Sequence, residues 1–240
     1  MSQIKIESDF LRYLLAHGCK PGSRPPSLND ISNEIGIGKL REQLEVARML
    51  GLIEASPRRG IHCTAYDFLP AVRQSLMIGL SIDRRLFDAF SALRGHLEIA
   101  FWDEAVGQLT AEDHTRLRQL VARAWAKLQQ ERIEIPHSEH RAFHLTIFQR
   151  MDNIFVTGLL EAYWDAYEAV ELNTYADYRY LTAVWRYHAQ IADLLAGGKT
   201  AETRQRHIAP MDLLVSRGAS LDTEPLSRPA HTLVPDGFNR

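Results

Sequence analysis

Apolar residues fall at helical spacing from the first turns of the chain. Phe10, Leu11, Leu14 and Leu15 share a face, and Gly18, Pro21 and Gly22 follow, which predicts a helix of about two to three turns. Ser27 with Asp30 three residues on forms a capping pair, opening a second short helix that carries Ile31 and closes near Gly36. Leu40, Leu44 and Ala47 repeat at the same spacing up to Gly51, a natural helix stop. Leu52-Ile53-Glu54 then leads into an extended piece. Ser56-Pro57-Arg58-Arg59-Gly60 must turn, and Ile61-His62-Cys63-Thr64 can run back beside the first strand. Three helices and a hairpin are the outline of a winged helix-turn-helix.

From Asp67 onward strand-like alternation disappears and long helical repeats take over. The expected helices span 69–81, 84–107, 111–131, 138–151, 153–173, 178–197 and 200–217, with breaks at Gly107, Thr110 with Asp113, Pro136, Asn153 and Gly197-Gly198. Residues from about 220 on, with Pro225, Pro229, Pro235 and Gly237, lack periodicity and read as a flexible tail. The chain therefore divides into a winged helix-turn-helix over 1–65, an all-helical antiparallel bundle over 66–219 and a tail over 220–240. The fold class is mainly α.

Composition adds limits. No apolar run approaches the roughly 18 residues of a membrane span, and no basic-then-apolar leader opens the chain. The two cysteines, Cys19 and Cys63, are too few for a disulfide framework or a cysteine zinc site, so a reducing, cytoplasmic setting is expected. The formal charge is −2. Residues 1–65 hold 9 Lys and Arg against 7 Asp and Glu, an excess too small to identify a nucleic-acid-binding module by charge alone. Ten histidines are the one compositional oddity.

Four of those histidines attract chemistry. His140 and His144 lie four apart, so both imidazoles leave one helix face and can chelate one ion, although such a pair is common without a metal. His188 lies mid-helix among Trp185, Ile191 and Leu194, where an imidazole needs a hydrogen bond or a metal. Arg94 can take a carboxylate through two parallel bonds, or pair with Glu98 four residues on. The dense aromatics around Tyr163, Tyr167 and Tyr187 mostly predict packing, and these three hydroxyls are also candidates to line an effector pocket.

Pro21-Gly22, Pro26-Ser27, Leu40-Arg41-Glu42, Gly51-Leu52-Ile53-Glu54 and Arg59-Gly60 occur in order before an all-helical region carrying Ala92-Leu93-Arg94-Gly95-His96-Leu97-Glu98, Phe143-His144, Asp152-Asn153, and His188 with Ile191. Over about residues 8–218 this pattern resembles the GntR superfamily of bacterial transcription regulators, in the FadR-type branch with an FCD ligand-binding domain. The resemblance implies a cytoplasmic homodimer that binds a double-stranded DNA operator. Lys39 and Arg41 would stand at the groove-facing end of the third helix, Arg48 would add a phosphate contact, and Arg58, Arg59 and Gly60 would form the wing tip. Asn29 stands where many members carry an arginine, and the turn at Gly36-Ile37-Gly38 is two residues shorter than the family pattern. A shorter turn is expected to rotate or shorten the start of the recognition helix.

The same resemblance implies a divalent metal, zinc or nickel, held in the second domain. His144 and His188 match ligand positions, His140 replaces the usual aspartate, and Pro210 falls near the last ligand position with His207 one turn, about 5.4 Å, earlier. A cationic imidazole site invites a small carboxylate metabolite, with Arg94, Tyr163, Tyr167 and Tyr187 as effector-binding residues. Two alternatives stand beside this reading. One is a metal-independent sensor of an acyl or aromatic acid. The other is a histidine-metal enzyme, which needs a general base; Glu139, one residue from His140, projects about 100° away.

Overall fold

The computed structural model describes residues 5–17, 19–56, 60–170 and 178–208. Helix α1 (Asp9–Ala16) starts at Ser8, whose hydroxyl accepts from the Leu11 N–H. Helix α2 (Leu28–Ile35) starts at Ser27, which accepts from the Asp30 N–H as the capping pair predicts. Helix α3 (Ile37–Met49) follows after one residue, Gly36, at φ 85°. Strands β1 (Ile53–Ser56) and β2 (Gly60–Cys63) close an antiparallel hairpin with Ile53 opposite Cys63 and Ser56 opposite Gly60. Phe10, Tyr13, Leu14, Ile31, Leu40, Ala47 and Ile53 form the core of this unit. The Gln43 side-chain oxygen accepts from Ser8 Oγ and from the Phe10 N–H, both at 2.7 Å, and so pins α3 to the start of α1.

The connection between α2 and α3 is the single residue Gly36, in a left-handed conformation that suits glycine, and α3 runs for 13 residues. One expectation changes here. The two cysteines, read as reduced, are paired as a disulfide between Cys19 and Cys63. Sequence spacing does not reveal that pairing, because the hairpin returns residue 63 to the loop after α1.

Among the described residues eight further helices follow: α4 (Leu69–Ile82), α5 (Leu86–Ala100), α6 (Trp102–Gly107), α7 (Ala111–Leu128), α8 (His137–Phe148), α9 (Ile154–Ala169), α10 (Tyr178–Ala196) and α11 (Thr200–Ile208). The single helix expected over 84–107 is two, broken at Phe101 (φ −101°, ψ 7°). The break turns Trp102, Ala105 and Val106 into the core, and the Trp102 indole N–H reaches Thr203 Oγ1 on α11 at 3.4 Å. Thr110 and Asp113 form a full capping box at the start of α7. The expected extensions past 170 and past 208, including the tail over 220–240, lie outside the described residues.

The main core joins α6, α7, α8, α9 and α10 through residues such as Trp102, Leu117, Leu120, Phe143, Phe148, Leu160 and Trp185. A second cluster, with Leu80, Phe87, Tyr163 and Trp164, fills the space between α4, α5 and α9. Helix α4 approaches α9 closely at Gly158, where a Cβ would lie 3.2 Å from the Leu69 backbone nitrogen. It meets the turn between α3 and β1 at Gly51 (φ 68°), where a Cβ would fall 2.6 Å from Pro70 Cγ. No described helix is long and apolar enough to cross a membrane.

Candidate metal and effector site, and candidate nucleic-acid interface

Helix α8 projects His140 and His144 from one face, and α10 brings His188 against them; the three offer ligand nitrogens within 4.8 Å of one another. Trp164 and Phe143 flank the cluster, with ring centroids 4.8 Å from His140 and 4.5 Å from His188. Burial, reinforced by the neighbouring His188, His144 and Arg94, pushes the His140 pKa well below its ordinary value, so this imidazole is neutral, the form that ligates.

Hydrogen bonds orient the rings. His188 Nδ1 lies 2.7 Å from the Val184 carbonyl, which only accepts, so Nδ1 carries the proton and Nε2 presents a lone pair. That lone pair faces His144 Nε2 at 3.1 Å. His144 Nδ1 stands between two groups, Glu98 Oε1 at 3.2 Å and Arg94 Nη2 at 3.1 Å. When Nδ1 donates to Glu98, two Nε2 lone pairs confront each other and need a cation. When it accepts from Arg94, the Nε2 proton joins the histidines without one.

The donor set fits a metal ion. Two imidazole nitrogens at about 2.0–2.1 Å from one tetrahedral zinc stand about 3.3 Å apart, close to the 3.1 Å between these Nε2 atoms. Glu98 is placed as the outer carboxylate that fixes a ligating imidazole's tautomer. His140, His144 and His188 would hold the ion, which would supply a positive charge and an open position for an anionic oxygen. The side chain of His207 lies outside the described residues; its helix, α11, packs against α5, α6 and α10.

Of the candidate effector residues, Arg94 is bonded within the protein. Its guanidinium pairs with Glu98 through contacts of 2.9 and 2.8 Å and lies over the Tyr163 ring at 4.8 Å. Burial alone would lower its pKa, but Glu98 and Tyr163 outweigh that and raise it, keeping the charge. Tyr163 is buried beneath it. Tyr167 lines a cavity of about 10 Å³ together with His140, Tyr180 and Trp185, room for about one water. Tyr187 stands edge-on beside His188 at 5.5 Å.

Two features went unread in the sequence. Glu98 orients His144 as well as pairing with Arg94, and only the i+4 spacing hinted at the second role. The Trp164 indole N–H is buried with no hydrogen-bond partner among the described residues, a donor in the wall of the histidine site.

On the first unit, Lys39, Arg41 and Arg48 are all exposed on α3. Lys39 meets Asp9 at 3.2 Å and Arg48 meets Glu45 at 3.7 Å, exposed pairs that exchange readily. Arg41 makes no ion pair with another described residue. Gly60 is exposed at φ 73°, while Arg58 and Arg59 lie outside the described residues.

The fold is similar to that of a GntR protein from Streptococcus agalactiae at 14% identity, over 86% of this chain and 96% of that one, with a TM-score of 0.58. E. coli McbR/YncC matches at 16% identity over 88% and 96%, with a TM-score of 0.47. A GntR family member from Pseudomonas syringae pv. tomato matches at 16% over 88% and 81%, with a TM-score of 0.41. No curated protein matches the sequence. The FCD domain matches residues 89–209, the stretch that carries Arg94, Glu98 and all three clustered histidines. On that match the chain belongs to the FCD family, and its fold is that of the GntR regulators.

Proposed function

We propose that this chain is a homodimeric, ligand-responsive transcription regulator, in which residues 1–65 read an operator and residues 66–219 sense a small organic acid. FCD membership makes the chain a regulator rather than an enzyme. The observation that carries the sensing reading is the trio His140, His144 and His188 beneath the Glu98–Arg94 pair. With all three imidazoles in the neutral form that ligates, the site and the Glu98–Arg94 pair would sum to no charge, so a divalent ion would leave a buried positive site that favours a carboxylate. The unpartnered Trp164 N–H supplies a donor for such an oxygen. Zinc or nickel suits the imidazoles.

The operator reading is supported by the exposed cations on α3, above all Arg41. No side chain caps the start of α3, so its first N–H groups remain available to phosphate. The enzyme alternative loses its candidate base. Glu139 is held by Lys127 at 3.1 Å and by Ser138. Burial would raise its pKa, but these bonds outweigh burial and keep it below the ordinary range.

A metal-free sensor keeps one specific support: the alternative His144 tautomer joins Arg94, His144 and His188 without an ion. Elemental analysis of protein purified without chelator separates the readings. About one equivalent of zinc or nickel per chain, with DNA affinity altered by an organic acid only in the metal-loaded protein, is the expected result. Metal below about a tenth of an equivalent, unchanged on adding zinc or nickel, transfers the site to the metal-free reading.

A further inference from the structure

Neither cysteine takes part in the reading above. Cys19 follows α1 and Cys63 ends β2, 44 positions later, yet they are paired with Cα atoms 5.8 Å apart, within the range disulfides adopt. Cys63 is 2% exposed whereas Cys19 is half-buried, so Cys19 is the sulfur that solutes reach first. Backbone bonds run through the same spot. The Gly22 N–H donates to the Cys63 carbonyl at 2.8 Å, and the Cys63 N–H donates to the Ser23 carbonyl at 2.9 Å. Arg24 Nε donates to His62 Nε2 at 3.2 Å.

Segment 22–24 therefore lies along β2 on the edge away from β1, and continues to Ser27, the cap of α2. The disulfide fastens the root of the wing to the entrance of the helix-turn-helix. A regulator works where its DNA is, in compartments whose thiol buffers keep most cysteines reduced; disulfides found there are ordinarily transient and redox-sensing.

We propose that Cys19 and Cys63 form a reversible thiol-oxidation site, closed by a peroxide, that fixes the wing root and raises affinity for DNA. The DNA half of the proposal rests on the operator reading above. The Cys19 thiolate attacks one peroxide oxygen and the O–O bond breaks, giving a sulfenic acid and, after protonation, water. The Cys63 sulfur attacks the sulfenic sulfur, the S–S bond forms, and the hydroxyl leaves as a second water. Two thiols lose two electrons to one hydrogen peroxide, and a dithiol reductant reverses the change. Two free thiols cannot occupy bonding distance, so reduction loosens the packing at buried Cys63. The bridged wing is preorganised and is not ordered afresh on binding.

The test uses the full chain, treated with hydrogen peroxide or dithiothreitol. Free thiols are alkylated and counted by intact mass, and affinity is measured for a duplex oligonucleotide selected from a random-sequence pool by the oxidised protein. Peroxide is expected to remove both thiols within one chain, dithiothreitol to restore them, and the oxidised form to bind at least about fivefold more tightly. Cys19→Ser should bind like the reduced protein under both treatments, and Cys63→Ala, which keeps the buried site apolar, should do the same. Thiols that remain alkylatable after peroxide overturn the site. Equal or weaker binding by the oxidised form overturns the control while leaving the operator reading in place. If no form selects DNA from the pool, the operator reading falls and the control with it.

Discussion

Glu98 is fully buried on α5, and its oxygens hold Arg94 and His144 at once. Removing its charge should therefore be felt at the histidines. Glu98→Gln is expected to weaken zinc binding about 10- to 100-fold, read by competition with a chromophoric chelator. Arg94→Ala removes the cation that balances buried Glu98 and should cost about 3–5 kcal/mol of stability by denaturant titration. Asp113 offers a test in pH. The Arg150 guanidinium, with help from Thr110, holds its carboxyl far below the ordinary range against the opposing effect of burial. A depressed folded pKa stabilises the fold above the ordinary value of about 3.9 and ceases to do so as pH falls through the lower folded value. Asp113→Asn should accordingly lower the melting temperature at pH 7, and the gap to the parent protein should narrow in acid below about pH 3.9.

Local chemistry wrote the elements legibly wherever it was short-ranged. Ser27 with Asp30 and Thr110 with Asp113 marked helix starts, because a cap needs only the residue three positions on. The break at Phe101 was not legible: 84–107 keeps helical periodicity throughout, and what ends α5 is the burial of Trp102 against α11, about a hundred residues away. For the same reason the histidines are found from spacing and resemblance, while the contribution of Glu98 to His144 depends on a side chain of α5 reaching across to α8 in the folded chain. The joint between α2 and α3 rests on Gly36 at φ 85°. Gly36→Ala forces a side chain into the left-handed region at a cost of about 1–2 kcal/mol. Circular dichroism melts of the full chain should show a loss of that size, with zinc binding unchanged because the site is on other helices.

Across the whole molecule, Asp165 on α9 ties the sensing helices to the helix that follows the wing. It accepts from Arg73 on α4 at 2.5 Å and from Arg141 on α8 at 2.6 Å, and Arg141 adjoins His140 in sequence. On the proposed function, this carboxylate is a route by which a shift of α8 reaches α4. Asp165→Asn is expected to leave zinc affinity within about twofold while reducing the effector-dependent change in DNA affinity; typical couplings are about 1–3 kcal/mol. Titration of the labelled operator duplex with and without effector measures both quantities. An unchanged effector response would place the coupling elsewhere.

Gly51 makes that joint tight in both directions. Because its missing Cβ would sit inside Pro70, the turn before β1 and the first turn of α4 lie in direct contact, and only the five residues 64–68 join β2 to α4. Thr64 anchors that link, its Oγ1 and N–H donating to the Gly51 and Leu52 carbonyls. On the proposed function, a displacement of α4 toward the hairpin is handed on by contact and one away from it by the covalent link, so both signs of signal pass through the same joint.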